Sequence, residues 1–326
     1  MNKNIKKFMS AILVTSIAFG LAACGSGQKA ASGVESTQKK DTIKIGYLPI
    51  THALPLYVEN ELAKDNFKET NLELVKFGSW PELVDALNTG KIDGASVLIE
   101  LAMKAKEQGI DLKAVSLGHR DGNVAVVSPH INNVSDLKGK NFAIPHRLST
   151  HNILLYKMLK KAGLSQADVN VIELPPAEMP AALAEGRISG YIVAEPFGAK
   201  AVAINKGKVL LQSKDLWADS VCCALVLRDE FIKNHNDSAQ EFVNEYVAAG
   251  EKAETKDGQI HEISSKYMKV DQKVLDLSLK WISYNDLKIH EKDYDELRNT
   301  LIEMNLSQNP PKYTEFVDNS LINKAK

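Results

Sequence analysis

Cysteine is scarce in this sequence, three residues in 326. So low a number excludes a disulfide framework. An excess of charge is missing as well: 40 basic side chains stand against 41 acidic ones, for a formal net charge of −1. Binding nucleic acid through its phosphates needs a basic surplus, and that class is set aside. No G-x-S-x-G or H-E-x-x-H segment occurs, and no two histidines stand at H-x-H or H-x-x-x-H spacing. The local signatures of a hydrolase or a helical zinc site are therefore absent. What is present is apolar material, 44% of residues, with 25% charged. Such a chain buries a sizeable core rather than staying disordered, and its length suggests two domains.

The first 24 residues differ from the rest. Lys3, Lys6 and Lys7 precede an uncharged apolar run from Phe8 to Gly20, which ends in Leu21-Ala22-Ala23-Cys24. This is the architecture of a signal peptide, residues 1–23, and the run is short for a transmembrane helix. A cysteine after small residues resembles the bacterial lipobox, which implies lipidation of Cys24, the first residue of the mature chain. Loss of the three signal lysines would take the net charge to −4. Residues 24–40, rich in Gly, Ser, Ala and Lys, read as a flexible tether. The expected location is extracytoplasmic, anchored to the cell membrane by lipid. A body so placed has little access to ATP or NAD, and no cofactor is expected.

From Asp41 onward the pattern alternates. Strands are expected at Thr42–Leu48, Leu72–Phe77 and Ile92–Leu98, with helices at 51–63 and at Ser79–Asn88 ended by Gly90. Ser79-Trp80-Pro81-Glu82 has capping-box spacing, with Pro81 in the first turn. This alternation predicts an α/β fold with a largely parallel sheet. The pattern then recurs. ALNTGKIDG (86–94) aligns with ALAEGRISG (182–190) at an offset of about 96, and Thr51-His52…Leu56-Tyr57 aligns with Thr150-His151…Leu155-Tyr156 at about 99. Two lobes of similar design account for both matches. Val124–Val127 is the expected crossover strand and Cys222–Leu227 the return strand. Lobe 1 is then expected at 41–122 and 225–326, and lobe 2 at 123–224. Apolar stripes (Phe242, Val243, Tyr246, Val247; Leu275, Leu279, Ile282; Tyr294, Leu297, Leu301, Met304) predict packing helices in the C-terminal section.

Four segments, IKIGYLPITHALPLYVENEL, ALNTGKIDGASV, NVSDLKGKNFAIP and ALAEGRISGYIVAEPFGAKAV, resemble the nitrate/sulfonate/taurine/thiamine-precursor-like solute-binding proteins of ABC importers. That resemblance implies the two-lobed periplasmic-binding-protein type II fold, with two hinge strands and a ligand held in the cleft by lobe closure. It also implies permease and ATPase subunits as partners, a small-molecule ligand, a monomer, and no enzymatic activity.

Ligands of open α/β sheets sit beyond the carboxyl ends of strands, where free helix N–H groups favour anions and polar oxygens. Thr51, His52, Ser79, Trp80, His146, Arg147, Ser149, Thr150 and Glu195 fall at such ends and are candidate ligand-binding residues, together with Cys222. Thr51, Ser79, Ser149 and Thr150 could equally be N-caps, Trp80 a core-edge aromatic, and Arg147 part of a solvated loop. Arg147 suits an oxyanion. Glu195 would prefer a ligand donor, or is a strand-end carboxylate tied to backbone N–H groups. His52, His119, His146 and His151 fall on expected inter-lobe loops. Cys222 and Cys223 cannot form an unstrained disulfide with each other, and on a strand their side chains point to opposite faces. They are small buried residues of a hinge strand, or soft donors for a metal together with His146 and His151. The leading expectation is a lipid-anchored receptor for a small oxyanionic or planar solute: nitrate, a sulfonate, taurine or a pyrimidine-like compound. The alternatives are a soft-metal or organometal receptor that uses the vicinal cysteines, and a Cys/His hydrolase on the same fold.

Overall fold

β1 (Asp41–Tyr47) buries Ile43 and Ile45 completely and runs parallel to β2 (Thr70–Lys76) and β3 (Gly94–Leu98). This is a computed structural model, and it describes residues 40–63 and 65–325. The signal segment, Cys24 and the tether up to residue 39 lie outside the described residues. α1 (Leu54–Leu62) and α2 (Trp80–Asn88) connect the first strands, and α3 (Ile99–Glu107) leads to β4 (Leu112–Leu117). A short β5 (Arg120–Asp121) and then β6 (Asn123–Val127) carry the chain into a second sheet. There β7 (Asn141–Ile144), α4 (Thr150–Lys161), β8 (Asn170–Glu173), α5 (Met179–Ala184), β9 (Gly190–Ala194), α6 (Phe197–Ala203) and β10 (Lys208–Gln212) repeat the alternation. After α7 (Ser213–Leu216), β11 (Cys223–Arg228) returns to the first sheet. α8 (Asp229–Asn234), α9 (Asn236–Glu254), α10 (Gly258–Met268), α11 (Gln272–Lys280), β12 (Ile282–Ser283), α12 (Glu291–Glu303) and α13 (Tyr313–Phe316) complete the C-terminal section.

The first sheet has the order β2-β1-β3-β11-β4, and the second, read in the same sense, β8-β7-β9-β6-β10. Each has three parallel strands, an antiparallel strand contributed by the other half of the chain, and an outer strand. Each sheet with its helices forms a lobe. The registers correspond: Ile45 faces Gly94 across β1 and β3, and Phe142 faces Gly190 across β7 and β9. So do the helix ends. Gly90 and Gly186 have φ of 71° and 74°, a left-handed conformation that glycine adopts without strain. The next residues, Lys91 and Arg187, donate to Ala86 and Ala182 at 2.9 Å in both cases. Strands β3 and β9 are buried along their whole length, as a sheet covered on both faces requires.

Several expectations are corrected. The helix foreseen at 51–63 is a 3-10 turn, Thr51–Ala53, followed by α1; Pro55 lacks the N–H that would have continued a helix from Thr51. Ser79 precedes α2, but its side chain makes no capping bond, and Pro81 removes one of the two N–H groups such a cap takes. Ile282 belongs to β12, paired with β5, rather than to the stripe of α11. The C-terminal helices also touch both lobes: α9 packs on α1, and α11 on α6.

Candidate functional site

Where the carboxyl end of β4 meets the start of β11, four metal-class donors converge. His52, His119, Cys222 and Cys223 are all buried, and their ligand atoms lie within 4.8 Å of one another. Both cysteines are free thiols. His52 Nδ1 is 3.4 Å from Cys223 Sγ and 3.9 Å from Cys222 Sγ. The two imidazoles stack with centroids 3.4 Å apart. Gly118 permits this approach: a Cβ there would lie 2.5 Å from the His52 carbonyl oxygen, and its N–H donates to the Cys223 carbonyl at 2.8 Å. The expectation that adjacent cysteines face opposite sides fails because β11 begins at Cys223. Cys222 lies before the strand, where pleat alternation does not apply.

The second nitrogen of each imidazole faces a carbonyl. His52 Nε2 is 3.4 Å from the Gly122 oxygen, and His119 Nδ1 is 2.7 Å from that of Asp121. A carbonyl only accepts, so each ring carries its hydrogen on that side and leaves its other nitrogen as an acceptor: His52 Nδ1 beside the sulfurs, and His119 Nε2 accepting from the Cys223 backbone N–H at 3.4 Å. That is the tautomer and outer-shell contact a metal-binding histidine needs. Burial, then the neighbouring His119, pushes the His52 pKa down to about 4, so the ring is neutral at ordinary pH. Burial alone would raise the Cys222 thiol. The Cys223 thiol, then the adjacent His119 and His52, outweigh it and lower Cys222 well below the usual thiol range. Cys223 is pushed well above that range by burial and by its bond to Cys222.

Around the quartet the two lobes touch through related residues. Thr51 donates to the Glu195 carbonyl through its N–H at 2.9 Å and its hydroxyl at 3.1 Å. The Thr150 hydroxyl, at the start of α4, contacts both Glu100 Oε1 and the Val221 carbonyl. Glu100 stands in the first turn of α3. Burial, then Cys222, raises its pKa well above the carboxylate range. His151, next to Thr150, is buried, and neither of its ring nitrogens has a hydrogen-bond partner. The Glu195 carboxylate accepts from Ala199 N–H at 2.9 Å and from the Ser278 hydroxyl at 3.1 Å. With no cation among these partners, burial pushes its pKa up to about 8.

The remaining candidates lie elsewhere. Ser149 caps α4 by accepting from Asn152 N–H. Ser79, Trp80 and His146 line a cavity of about 250 Å³ with Pro81, Pro145, Pro175 and Pro176. The Trp80 indole N–H there is buried without a partner. Arg147 is exposed, pairs with Glu173 and donates to the Val171 carbonyl; the quartet contains no cationic side chain. Of the cysteine and histidine metal candidates, the structure brings Cys222 and Cys223 together with His52 and His119, while His146 accepts from Leu148 N–H. His119 was legible as a loop histidine but not as their neighbour. Glu100 escaped notice, although it follows β3 much as Glu195 follows β9.

This is the fold of periplasmic binding proteins. The nitrate-binding protein NrtA of Synechocystis PCC 6803 superposes with a TM-score of 0.79 at 18% identity, over 88% of each chain. Residues 36–266 match the NMT1-like family, and the chain belongs to it. A ligand-binding component of an ABC-type import system from Staphylococcus aureus, whose structure has zinc bound, is 44% identical with a TM-score of 0.84, over 88% of this chain and 99% of that one. A putative aliphatic sulfonates-binding protein of Bacillus subtilis is 27% identical over 96% of both chains. The chain spans 32%, 58% and 33% of the length of the first curated relatives it matches.

Proposed function

We propose that this protein is the extracytoplasmic binding component of an ABC importer, and that its cargo is a zinc-class metal ion held by His52, His119, Cys222 and Cys223. The buried quartet carries the reading. Zinc takes four ligands in a tetrahedron, with Zn–S near 2.3 Å and Zn–N near 2.0–2.1 Å, so neighbouring N and S ligands sit about 3.6 Å apart. The 3.4 Å and 3.9 Å separations around His52 Nδ1 bracket that value. Two thiols and two neutral imidazoles suit a soft or borderline cation far better than an oxyanion, which needs donors and positive charge. The zinc-bound Staphylococcus aureus relative supports the same reading.

In this proposal the chain binds and releases without covalent chemistry. Capture displaces thiol protons from the two sulfurs. The first sheet with its helices makes lobe 1 and the second sheet makes lobe 2; β11 lies in the first sheet from Cys223, so lobe 1 resumes at the Cys222-Cys223 pair rather than at 225. The lobes shift from open to closed around the ion and present it to permease and ATPase subunits. A lipid on Cys24 would keep the monomeric body at the membrane surface.

The test is a chelator-competition titration of the purified body with zinc(II), beside C222S/C223S and beside nitrate and an alkanesulfonate. Stoichiometric zinc binding is expected. It should weaken in the double variant by more than the roughly 10–100-fold that loss of outer-shell partners costs. Nitrate or sulfonate binding by a protein indifferent to zinc would overturn the proposal.

A further inference from the structure

The quartet, taken alone, does not join the lobes. His52 follows β1, His119 follows β4, and Cys222 and Cys223 open β11; all three strands belong to the first sheet. A ligand closes a two-lobed receptor only if it binds the closed state better than the open one, which requires a contact in the second lobe. Among the described residues, the second lobe's buried metal-class side chains are His151 and Glu195. The Glu195 carboxylate is taken up at Oε2 by Ala199 and Ser278, while its Oε1 has no partner.

His151 is not taken up. It is 1% exposed, and both nitrogens lack partners. An imidazole buried with neither nitrogen bonded is destabilising as it stands, and a metal ion would supply the missing partner. Its neighbour Thr150 is bonded to the Val221 carbonyl at 2.8 Å and to Glu100, so the ring stands one residue from a segment docked directly before Cys222. In the duplicated design His151 is also the counterpart of His52. Both follow the threonine behind the first parallel strand of their sheet.

We infer that His151 is the second lobe's ligand to the captured ion, entering on closure as a fifth ligand beside the quartet, and that its bond to the metal is what makes capture hold the lobes closed. This rests on the metal-receptor reading above. The first lobe and hinge supply the affinity; His151 supplies the difference in affinity between open and closed states. Glu100 and Thr150 brace the same junction by hydrogen bonding and are positioning residues.

The experiment uses the purified body with zinc(II) alone, or cobalt(II) as a spectroscopic substitute. Zinc affinity is read by chelator competition, and closure by the change in radius of gyration in small-angle scattering. H151Q keeps polarity and volume, and H151C restores a metal ligand. For H151Q, zinc affinity is expected to fall at least tenfold, the zinc-induced contraction to disappear, and the cobalt absorption envelope to shift. One ion should still bind at the quartet. H151C should recover both affinity and contraction. Wild-type affinity, contraction and cobalt spectrum in H151Q would overturn the inference and leave the receptor reading standing. A wild-type protein that binds no zinc would overturn both.

Discussion

Thr51-His52 and Thr150-His151 stand at the same place in two lobes of the same strand order, and they have been put to different uses. In the first lobe Thr51 meets a backbone carbonyl of the other lobe, and His52 turns its Nδ1 onto two sulfurs. In the second, Thr150 meets a buried carboxyl as well as the Val221 backbone carbonyl, and His151 is left without a hydrogen bond. The scaffold around them is far more alike than the side chains' surroundings: register, helix ends and glycine conformations match across the duplication. A repeated α/β unit fixes where the carboxyl ends of strands fall. Which group a residue there meets depends on what the other lobe and the hinge bring to it.

The largest expected asymmetry is in pH dependence. The Glu195 carboxyl, at about 8 in the folded chain against an ordinary 4.5, leaves the folded state holding a proton that the unfolded state has lost. Stability therefore falls as pH rises from about 4.5 to 8, by up to about 5 kcal/mol. His52 works in the opposite direction. Its folded pKa of about 4 lies below the ordinary 6.5, so stability is lost as pH falls from about 6.5 to 4, by about 3 kcal/mol. The two slopes oppose each other in acid; above pH 6.5 His52 drops out, and the Glu195 slope runs in the same direction as that of buried Glu100. Urea unfolding of the metal-free body should show a falling alkaline arm for wild type and a clearly shallower one for E195Q, the remainder belonging to Glu100. An unchanged arm in E195Q would place the titrating group elsewhere.

The equivalent threonines offer a smaller contrast. T150V removes the one hydrogen-bond partner Glu100 Oε1 has across the lobe junction and strands a buried carboxyl, for an expected loss of about 1–3 kcal/mol. T51V removes a hydroxyl whose acceptor, the Glu195 carbonyl, keeps the Thr51 N–H, so about 0.5–1.5 kcal/mol should suffice. Equal losses in chemical denaturation would contradict the difference drawn between the lobes. The smallest effect tests their likeness. G90A and G186A each force a left-handed alanine, and each should cost about 1–2 kcal/mol. Values differing by more than about 1 kcal/mol would show that the two helix ends are not equivalent.

Much of this was legible in the chain. ALNTGKIDG and ALAEGRISG announced two helix–glycine–strand units, and both occur in the same register. The second half of the site was harder. Cys222 and Cys223 stood out as donors, but their facing depended on where β11 begins, a matter of one residue. Arg147 has the right chemistry for an oxyanion, yet it points to solvent and Glu173, because the turn before α4 directs Thr150 and His151 inward instead.

By itself the sequence determined the alternation, the duplication and the glycine-ended helices, since each depends on residues within one or two turns of one another. Only the tertiary structure decided the site. His52 and Cys223 are 171 positions apart, and His119 reaches them because Gly118 lets β4 pass against both backbones. Spacing along a chain carries no record of such a meeting. It is set by how two sheets and a hinge pack, where one missing Cβ determines which side chains can touch.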